Sequence, residues 1–305
     1  MSTGVSRRAF LSGASALAVA AGLGLAGCGS SSDAAQAATT GAILAVGSTA
    51  MQPLMEAAAE AYGSTEQGAS VSISVQGGGS GQGLTQVSEG TAQIGDSDVF
   101  AEAKITDADK LAALVDHQVA ICGMGPVAHP DCGVENVSLA DLKAVFMGQV
   151  TNWSELGGAD LAITVINRAA GSGTRATFEQ AVLGGDEVPS SFTPQEQDSS
   201  GTVAKMVKAT PGAISYLAFS YFADDILALS IDGVAPTRET VEQGEWPIWA
   251  YMHAYTQESC DRAVTDFIDY LLSDNVQGSL VESVGFIPVA DMTVAKDADG
   301  TIRSR

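Results

Sequence analysis

The residues best suited to chemistry lie together in one segment, Ile-Asn-Arg-Ala-Ala-Gly-Ser-Gly-Thr-Arg at positions 166–175. Arg168 supplies a planar fork of N–H donors, and Ser172 and Thr174 add two hydroxyl donors. Gly173 lets the backbone approach a ligand closely. A strand pattern precedes the turn and a helical pattern follows it, so its amides lie at a helix N-terminus, which attracts anions. These donors suit an oxyanion, although the same residue types also make an ordinary capped strand-to-helix turn.

Two earlier segments have the same order of strand, small-residue turn and helix. The strand pattern at 43–46 leads into Gly-Ser-Thr-Ala at 47–50, and Pro53 suits the first turn of the next helix. The alternating pattern at 71–75 leads into the glycine-rich run at 76–83 and another helix. Helix N-termini at all three turns can direct backbone amides to one point. The repetition favours an anion site over three unrelated capped turns.

The elements that position these turns alternate between strand and helix, which predicts an α/β fold with mainly parallel sheets. A short strand over 92–94 leads to the acidic loop Gly-Asp-Ser-Asp at 95–98. The apolar, glycine-interrupted run Val119–Val127 is typical of a strand that crosses between two lobes. Helices with apolar faces are expected at 138–146 and 259–272.

The charge balance excludes some classes of partner. The chain of 305 residues has 14 basic and 36 acidic residues, which gives a net charge of -22. A surface this acidic repels nucleic acid and anionic lipid, so neither is an expected partner. It also repels a free anion at long range. An anion site in this chain must therefore depend on short-range hydrogen bonds.

The N-terminus has the pattern of an exported lipoprotein. Paired arginines at 7–8 precede a short apolar run at 17–26 that is too rich in glycine for a membrane span. This pattern resembles a twin-arginine (Tat) signal followed by a lipoprotein box, and a simple signal-anchor helix is the alternative. We therefore predict a signal peptide at 1–27, a lipid such as palmitate on Cys28, and a flexible linker over 28–40. The expected location is the extracytoplasmic face of a bacterial cell membrane, with the body held there by lipid.

Little in the sequence indicates catalysis. The three histidines are isolated, no Cys/His spacing suits zinc, and neither a Walker A loop nor a Gly-x-Ser-x-Gly elbow occurs. No neighbouring base is apparent that would activate a serine as a nucleophile. We therefore expect a binding protein without metal or cofactor, rather than an enzyme. Cys122 and Cys132 either pair or remain buried thiols, and Cys260 is expected to be unpaired.

Four segments together resemble the periplasmic or lipid-anchored phosphate-binding proteins of bacterial ABC transporters. The segments are Gly47–Ala50, Gly79–Gly81, Gly95–Asp98 and Arg168–Thr174, and they have the order and spacing of that family. The resemblance covers nearly the whole body, over 43–289. It implies a two-lobed, periplasmic-binding-protein-like α/β fold with a ligand cleft between the lobes and two interlobe crossovers.

The resemblance also implies lobe boundaries, binding residues and partners. Lobe I would comprise 41–121 and 247–305, and lobe II would comprise 122–246. The implied phosphate-binding residues are Thr49, Ala50 (through its amide), Ser80, Asp98, Arg168, Ser172, Gly173 and Thr174. Ser48, Gly81 and Ser97 form a second tier, and Ser199 and Ser200 either add contacts or cap a helix. The implied partners are inorganic phosphate and the permease subunits of an ABC transporter, and a monomer is expected.

Asp98 is an unexpected neighbour for an anion. Phosphate near neutral pH still carries a proton that a carboxylate can accept, whereas sulfate carries none and would meet repulsion. This difference favours phosphate over another oxyanion such as sulfate or molybdate. Two further alternatives are a secreted phosphatase on the same scaffold and a surface protein whose acidity serves solubility or adhesion.

Overall fold

Strands and helices alternate along residues 40–305, the part of the chain that the computed structural model describes. The strands are β1 (Gly41–Gly47), β2 (Val71–Gly77), β3 (Ile94–Ser97), β4 (Leu114–Ala128), β5 (Asn136–Val137), β6 (Thr164–Arg168), β7 (Gln195–Gln197), β8 (Ala213–Ala218), β9 (Leu227–Ala228), β10 (Ser230–Ile231), β11 (Trp249–Gln257), β12 (Val294–Lys296) and β13 (Ile302–Ser304). The α-helices are α1 (Gln52–Gly63), α2 (Ser80–Ser88), α3 (Ala108–Ala112), α4 (Leu139–Phe146), α5 (Gly173–Val182), α6 (Ser200–Ala209), α7 (Arg238–Glu242), α8 (Arg262–Leu271) and α9 (Val281–Ser283).

The predicted export leader falls outside this part of the chain. The signal peptide at 1–27, the lipid-bearing Cys28 and the linker over 28–40, except for Thr40, lie outside the described residues. Within residues 40–305, no helix combines the length and apolar character that a membrane span requires.

One long strand, β4, joins two halves of the main sheet, whose strand order is β2-β1-β3-β11-β4-β8-β6-β7, with β9 also beside β4. Its first part, Leu114 to Gly123, pairs with β11, and its last part, Met124 to Ala128, pairs with β8. We call β2, β1, β3, β11 and the first part of β4 the first half-sheet, and the remaining strands the second half-sheet. The chain returns beside this junction, where the Met124 amide donates to the Ile248 carbonyl at 2.9 Å. The predicted crossing strand is therefore confirmed, and a second crossing precedes β11.

The expectation of mainly parallel sheets is wrong for the middle of the sheet. The outer strands are parallel, with β1 beside β2 and β3, and β6 beside β7 and β8. The pairs β3–β11, β11–β4 and β4–β8 are antiparallel. The reason is that β4 carries the chain from one half-sheet to the other and β11 carries it back in the opposite direction.

Helix α1 illustrates how the periodic apolar pattern is used. Its buried residues are Leu54, Met55, Ala58 and Tyr62, which lie on one face at the helical spacing. They pack into a large core with strand residues of the first half-sheet and with α8. The helix expected at 138–146 begins at Leu139, because Ser138 is its N-cap and accepts a hydrogen bond from the Asp141 amide at 3.0 Å.

The two cysteines for which pairing stayed open, Cys122 and Cys132, are free thiols and both are buried. Burial raises the pKa of Cys122 well above its usual value and also raises the pKa of Cys132. Both therefore act as small apolar core residues rather than as nucleophiles. Cys260, expected to be unpaired, is also a free thiol.

Candidate functional site

The candidate site lies where several parallel strands end beside one another. Strand β1 is followed by Ser48 and Thr49 before α1, β2 leads to α2 through Gly79, and β6 ends at Arg168 before α5. Gly79 has a φ of 83°, which favours glycine, and a Cβ there would lie 3.1 Å from the Gly171 carbonyl oxygen. The carboxyl ends of parallel strands meet at one edge of a sheet, which brings these turns together.

Arg168 is the most unusual residue of the site, since its side chain is only 1% exposed yet contacts no carboxylate. Its Nη1 donates to Ser200 Oγ at 2.9 Å, and its Nη2 donates to Thr49 Oγ1 and to the Asp198 carbonyl, each at 3.0 Å. Its Nε donates to the Gln197 carbonyl at 3.3 Å. Every one of these acceptors is uncharged, and Arg168 makes no ion pair within residues 40–305.

The electrostatic surroundings of Arg168 are unfavourable without a counter-charge. Burial lowers the pKa of Arg168, although the nearby Asp98 carboxylate partly opposes this effect. Because an arginine stays protonated even when its pKa falls, a full positive charge is held away from water. A buried cation of this kind is costly unless an anion approaches it.

Asp98 is also buried and is 2% exposed. Its Oδ1 accepts a hydrogen bond from Ser48 Oγ, and its Oδ2 accepts one from Thr174 Oγ1 at 2.7 Å. Its amide donates to Ser80 Oγ at 3.0 Å. Burial raises the pKa of Asp98, while the two hydroxyl donors and the charge of Arg168 lower it. Because a carboxylate has about four lone-pair positions, each oxygen can still accept another hydrogen bond.

Backbone amides complete the set of donors. The Ser172 side chain caps α5 by accepting from the Arg175 amide at 3.2 Å. The amides of Ser80, Gly173 and Thr174 begin α2 and α5, and no group within residues 40–305 accepts from them. All three residues are buried, and unpaired buried amides at a helix N-terminus are the usual partners of a bound anion.

The two half-sheets touch at this point. A Cβ on Gly173 would lie 2.2 Å from Ser80 Oγ and 3.0 Å from Asp98 Cβ, so only glycine fits. The Gly81 amide donates to the Gly171 carbonyl at 3.1 Å across the same gap. The donors from both sides are therefore within reach of one small ligand.

The eight residues expected to bind phosphate are all buried, and the structure brings them to this one place; they are Thr49, Ala50, Ser80, Asp98, Arg168, Ser172, Gly173 and Thr174. The Ala50 amide already donates to Ser48 Oγ at 3.1 Å. Among the second tier, Ser48 holds Asp98 and Gly81 bridges the gap. Ser97 is turned away, because its hydroxyl donates to the Val99 carbonyl at 2.7 Å.

The sequence left the roles of Ser199 and Ser200 open and did not single out Asp96. Ser199 is an ordinary cap, accepting from the Thr202 amide at 3.1 Å, whereas Ser200 is 0% exposed and contacts Arg168. Asp96 is 1% exposed, and its Oδ1 has no hydrogen-bond partner among the described residues. Burial and the neighbouring Asp98 raise the pKa of Asp96 well above its usual value. The only sequence signals were the two consecutive serines at 199–200 and the two aspartates on either side of Ser97.

Asp98 also lines a cavity of about 960 Å³. Its walls include Phe100, Trp249, Tyr251 and His253, but not Arg168. It is therefore too large and too aromatic for a small oxyanion. Within residues 40–305, no cluster of His, Cys, Asp or Glu is arranged to hold a metal ion.

Proteins of similar sequence identify the family to which this chain belongs. Residues 32–275 match the family model described as a PBP superfamily domain. The Phosphate-binding protein PstS of Bacillus subtilis (strain 168) is 51% identical over 262 residues, covering 86% of this chain and 85% of that protein.

Two solved structures have the same fold. One is described as a phosphate ABC transporter substrate-binding protein with bound phosphate from Clostridium perfringens; its TM-score is 0.74 and its identity 31%, over 81% of this chain and 99% of that chain. An ABC-type phosphate transport receptor from Vibrio cholerae has a TM-score of 0.63 at 24% identity, over 80% and 99% of the two chains. These likenesses confirm the expected two-lobed fold with a cleft between the lobes and two crossovers.

Proposed function

Since the chain belongs to the PBP superfamily and, within it, to the family of phosphate-binding proteins, we propose that it binds inorganic phosphate outside the cytoplasmic membrane and delivers it to an ABC permease. As a member of this family it is a solute-binding protein rather than an enzyme. The observation that carries the proposal is the buried guanidinium of Arg168, which contacts only uncharged acceptors and lies with unpaired helix amides at one small site.

The groups proposed to bind phosphate are a set of hydrogen-bond donors and one hydrogen-bond acceptor. The donors are the side chains of Thr49, Ser80, Arg168, Ser172 and Thr174 and the amides of Ala50, Gly173 and Thr174. The Ala50 amide and the Thr174 hydroxyl would exchange their bonds with Ser48 Oγ and Asp98 Oδ2 for bonds to the ligand. The Thr49 hydroxyl would likewise exchange its contact with Ser200 Oγ. Among these donors only Arg168 carries a charge. The site would therefore bind phosphate mainly through many hydrogen bonds at close range, which offset the repulsion of the anion by the acidic surface.

Asp98 is the proposed acceptor and the basis of selectivity. A protonated phosphate oxygen would donate to the carboxylate, whose free lone pairs remain after the bonds from Ser48 and Thr174. Sulfate has no proton at neutral pH, so its oxygens would face those lone pairs directly. This repulsion disfavours the alternative of a sulfate- or molybdate-binding protein.

We assign lobe I to 41–121 and 247–305, and lobe II to 122–246. The two passages of the chain near Gly123 and Trp249 support this boundary, since they pair with each other at the junction of the half-sheets. A hinge there would allow the lobes to open and close around phosphate, as is common in two-lobed binding proteins.

The N-terminal pattern supports export and anchoring by lipid. In this proposal the signal peptide is removed after residue 27, Cys28 carries the lipid, and the monomeric body is tethered near the permease. Labelling the producing cells with radioactive palmitate tests the anchor. The parent should incorporate label, and Cys28→Ala should incorporate none. Equal incorporation by both would contradict lipid attachment at this residue.

Equilibrium dialysis with radiolabelled phosphate tests the binding function. We expect one saturable site that excess unlabelled phosphate empties, while an equal excess of sulfate or molybdate leaves it filled. Displacement by sulfate as effective as by phosphate would favour a general oxyanion-binding protein instead. Turnover of a phosphate ester by the purified protein would favour the phosphatase alternative.

A further inference from the structure

We propose that Ser200 is a further phosphate-binding residue, which holds Arg168 in position and donates its own hydroxyl proton to the ligand. The inference rests on the proposed function and adds a residue to that site. Ser200 is the first residue of α6, and none of the other proposed phosphate-binding residues lies in this helix.

The position of Ser200 places it among the ligand-binding groups rather than at the surface. It is 0% exposed, and its Oγ accepts from Arg168 Nη1 at 2.9 Å. Its amide donates to Thr49 Oγ1 at 3.0 Å, and the two hydroxyl oxygens are 3.3 Å apart. Ser200 therefore contacts two of the proposed phosphate-binding residues. Thr49 follows a strand of the first half-sheet, and Arg168 ends a strand of the second.

The hydrogen-bond capacities decide which way the protons point. A hydroxyl oxygen accepts at most two hydrogen bonds and donates one. Thr49 Oγ1 already accepts from Arg168 Nη2 and from the Ser200 amide, each at 3.0 Å. It has no acceptor position left, so it must be the donor in its contact with Ser200 Oγ.

The same count then fixes the proton of Ser200. Its oxygen accepts from Arg168 and from Thr49, so both lone pairs are occupied. No other group within residues 40–305 accepts its hydroxyl proton. This buried proton lies beside the Arg168 guanidinium, where the proposed phosphate binds, and an oxyanion is the acceptor that completes the series.

The adjacent serine supplies a matched control. Ser199 Oγ caps α6 by accepting from the Thr202 amide at 3.1 Å and lies 2.9 Å from Thr202 Oγ1. Within residues 40–305, its hydroxyl makes no hydrogen bond with Arg168. Removing the Ser199 hydroxyl should lower the melting temperature and leave the site intact, because loss of a cap costs stability only.

Isothermal titration of the purified full chain with inorganic phosphate tests the inference. Ser200→Ala should weaken binding by about 10- to 100-fold, the usual effect of losing a hydrogen bond to a charged group. Ser199→Ala should change the dissociation constant by less than about twofold. Ser200→Gly also lacks the hydroxyl and keeps the amide, so it serves as a second variant if Ser200→Ala fails to fold.

The coupling to Thr49 separates ligand contact from a general structural effect. In a Thr49→Val background, Ser200→Ala should cost less than in the parent, because Ser200 has already lost its hydrogen bonds with Thr49 Oγ1 that orient its hydroxyl. Equal affinity for phosphate in the parent, Ser200→Ala and Ser200→Gly would overturn the inference and leave the proposed function standing. A parent that binds no phosphate would overturn the proposed function itself.

Discussion

Two arginines at the ends of one segment have opposite surroundings. Arg175 donates to Glu179 and to Glu196, each at 2.7 Å, whereas Arg168 contacts no carboxylate. Burial lowers the pKa of both, but for Arg175 the two carboxylates outweigh burial and the pKa is raised, while for Arg168 it is lowered. Arg175 also donates to the Arg168 carbonyl at 2.8 Å. One arginine thus stabilises the protein, and the other retains its charge for a ligand.

The largest expected effect comes from removing each arginine in turn. Arg168→Ala should weaken phosphate binding by about 2–5 kcal/mol, as for loss of one partner of a desolvated charge pair. Arg168→Lys should restore only part of this, since an ammonium group lacks the planar fork. Arg175→Ala should cost at most about 1 kcal/mol of binding, because its ion pairs lie outside the site. Titration calorimetry measures all three, and equal losses for the two alanine variants would erase the distinction.

The comparison of charged side chains extends to the Asp98 carboxylate, which faces the ligand in the proposed site. Asp98→Asn replaces a group that only accepts with one whose NH2 can also donate to an oxyanion. Relief of one unfavourable buried contact of about 1–3 kcal/mol should narrow the preference for phosphate over sulfate by roughly 5- to 150-fold. If Asp98 merely supports its loop, both anions should weaken together. The ratio of the two dissociation constants at one pH and salt concentration distinguishes these results.

Asp96 provides a third test, in which stability rather than affinity changes. Its folded pKa lies well above the ordinary 3.8, so above that pH the unfolded chain ionises Asp96 while the folded protein keeps the proton. Folding then becomes less favourable as the pH rises, by about 1.4 kcal/mol per unit, until the raised pKa is passed. Asp96→Asn removes this penalty.

The stabilising effect of Asp96→Asn should therefore be larger at about pH 8 than at about pH 5, as measured by urea denaturation. Asp107→Asn is a suitable control, because Asp107 is an exposed helix cap on α3. A gain for Asp96→Asn that is the same at both pH values would mean that Asp96 is ionised in the folded protein.

The smallest expected effect concerns contact between the half-sheets. Tyr221 Oη donates to the Thr49 carbonyl at 2.6 Å, and burial raises the pKa of Tyr221 to about 12, so the donor proton is present at neutral pH. Tyr221→Phe should weaken phosphate and sulfate equally, by about 0.5–1.5 kcal/mol. A change in the ratio of the two affinities would instead place Tyr221 against the ligand.

The local patterns predicted much of the site, because strand, turn and helix at residues 166–175 depend mainly on neighbouring residues. Contacts between distant segments were harder to foresee. Ser200 meets Arg168 across 32 positions, and only the packing of α6 decides that Ser200 rather than Ser199 faces inward. The strand expected at 92–94 runs instead over Ile94–Ser97, where pairing with β1 and β11 buries Asp96.

The antiparallel centre of the sheet has a similar explanation. The apolar pattern of Val119–Val127 predicted a crossing strand but carried no information about the direction of its neighbours. That direction is decided by the return of the chain along β11, more than 100 residues later. Local sequence therefore determines the conformation of each turn, whereas the course of the whole chain determines which turns lie next to one another.

The most direct test of the central claim is a nuclear magnetic resonance titration of the 15N-labelled protein with phosphate. We expect the amide signals of Ser80, Gly173 and Thr174 and the Nε signal of Arg168 to shift together and to saturate at one equivalent. The same additions of sulfate should leave them in place, and Arg175 Nε should hardly respond to either anion. Saturable phosphate shifts confined to other residues, or none at all, would contradict the assignment of this site.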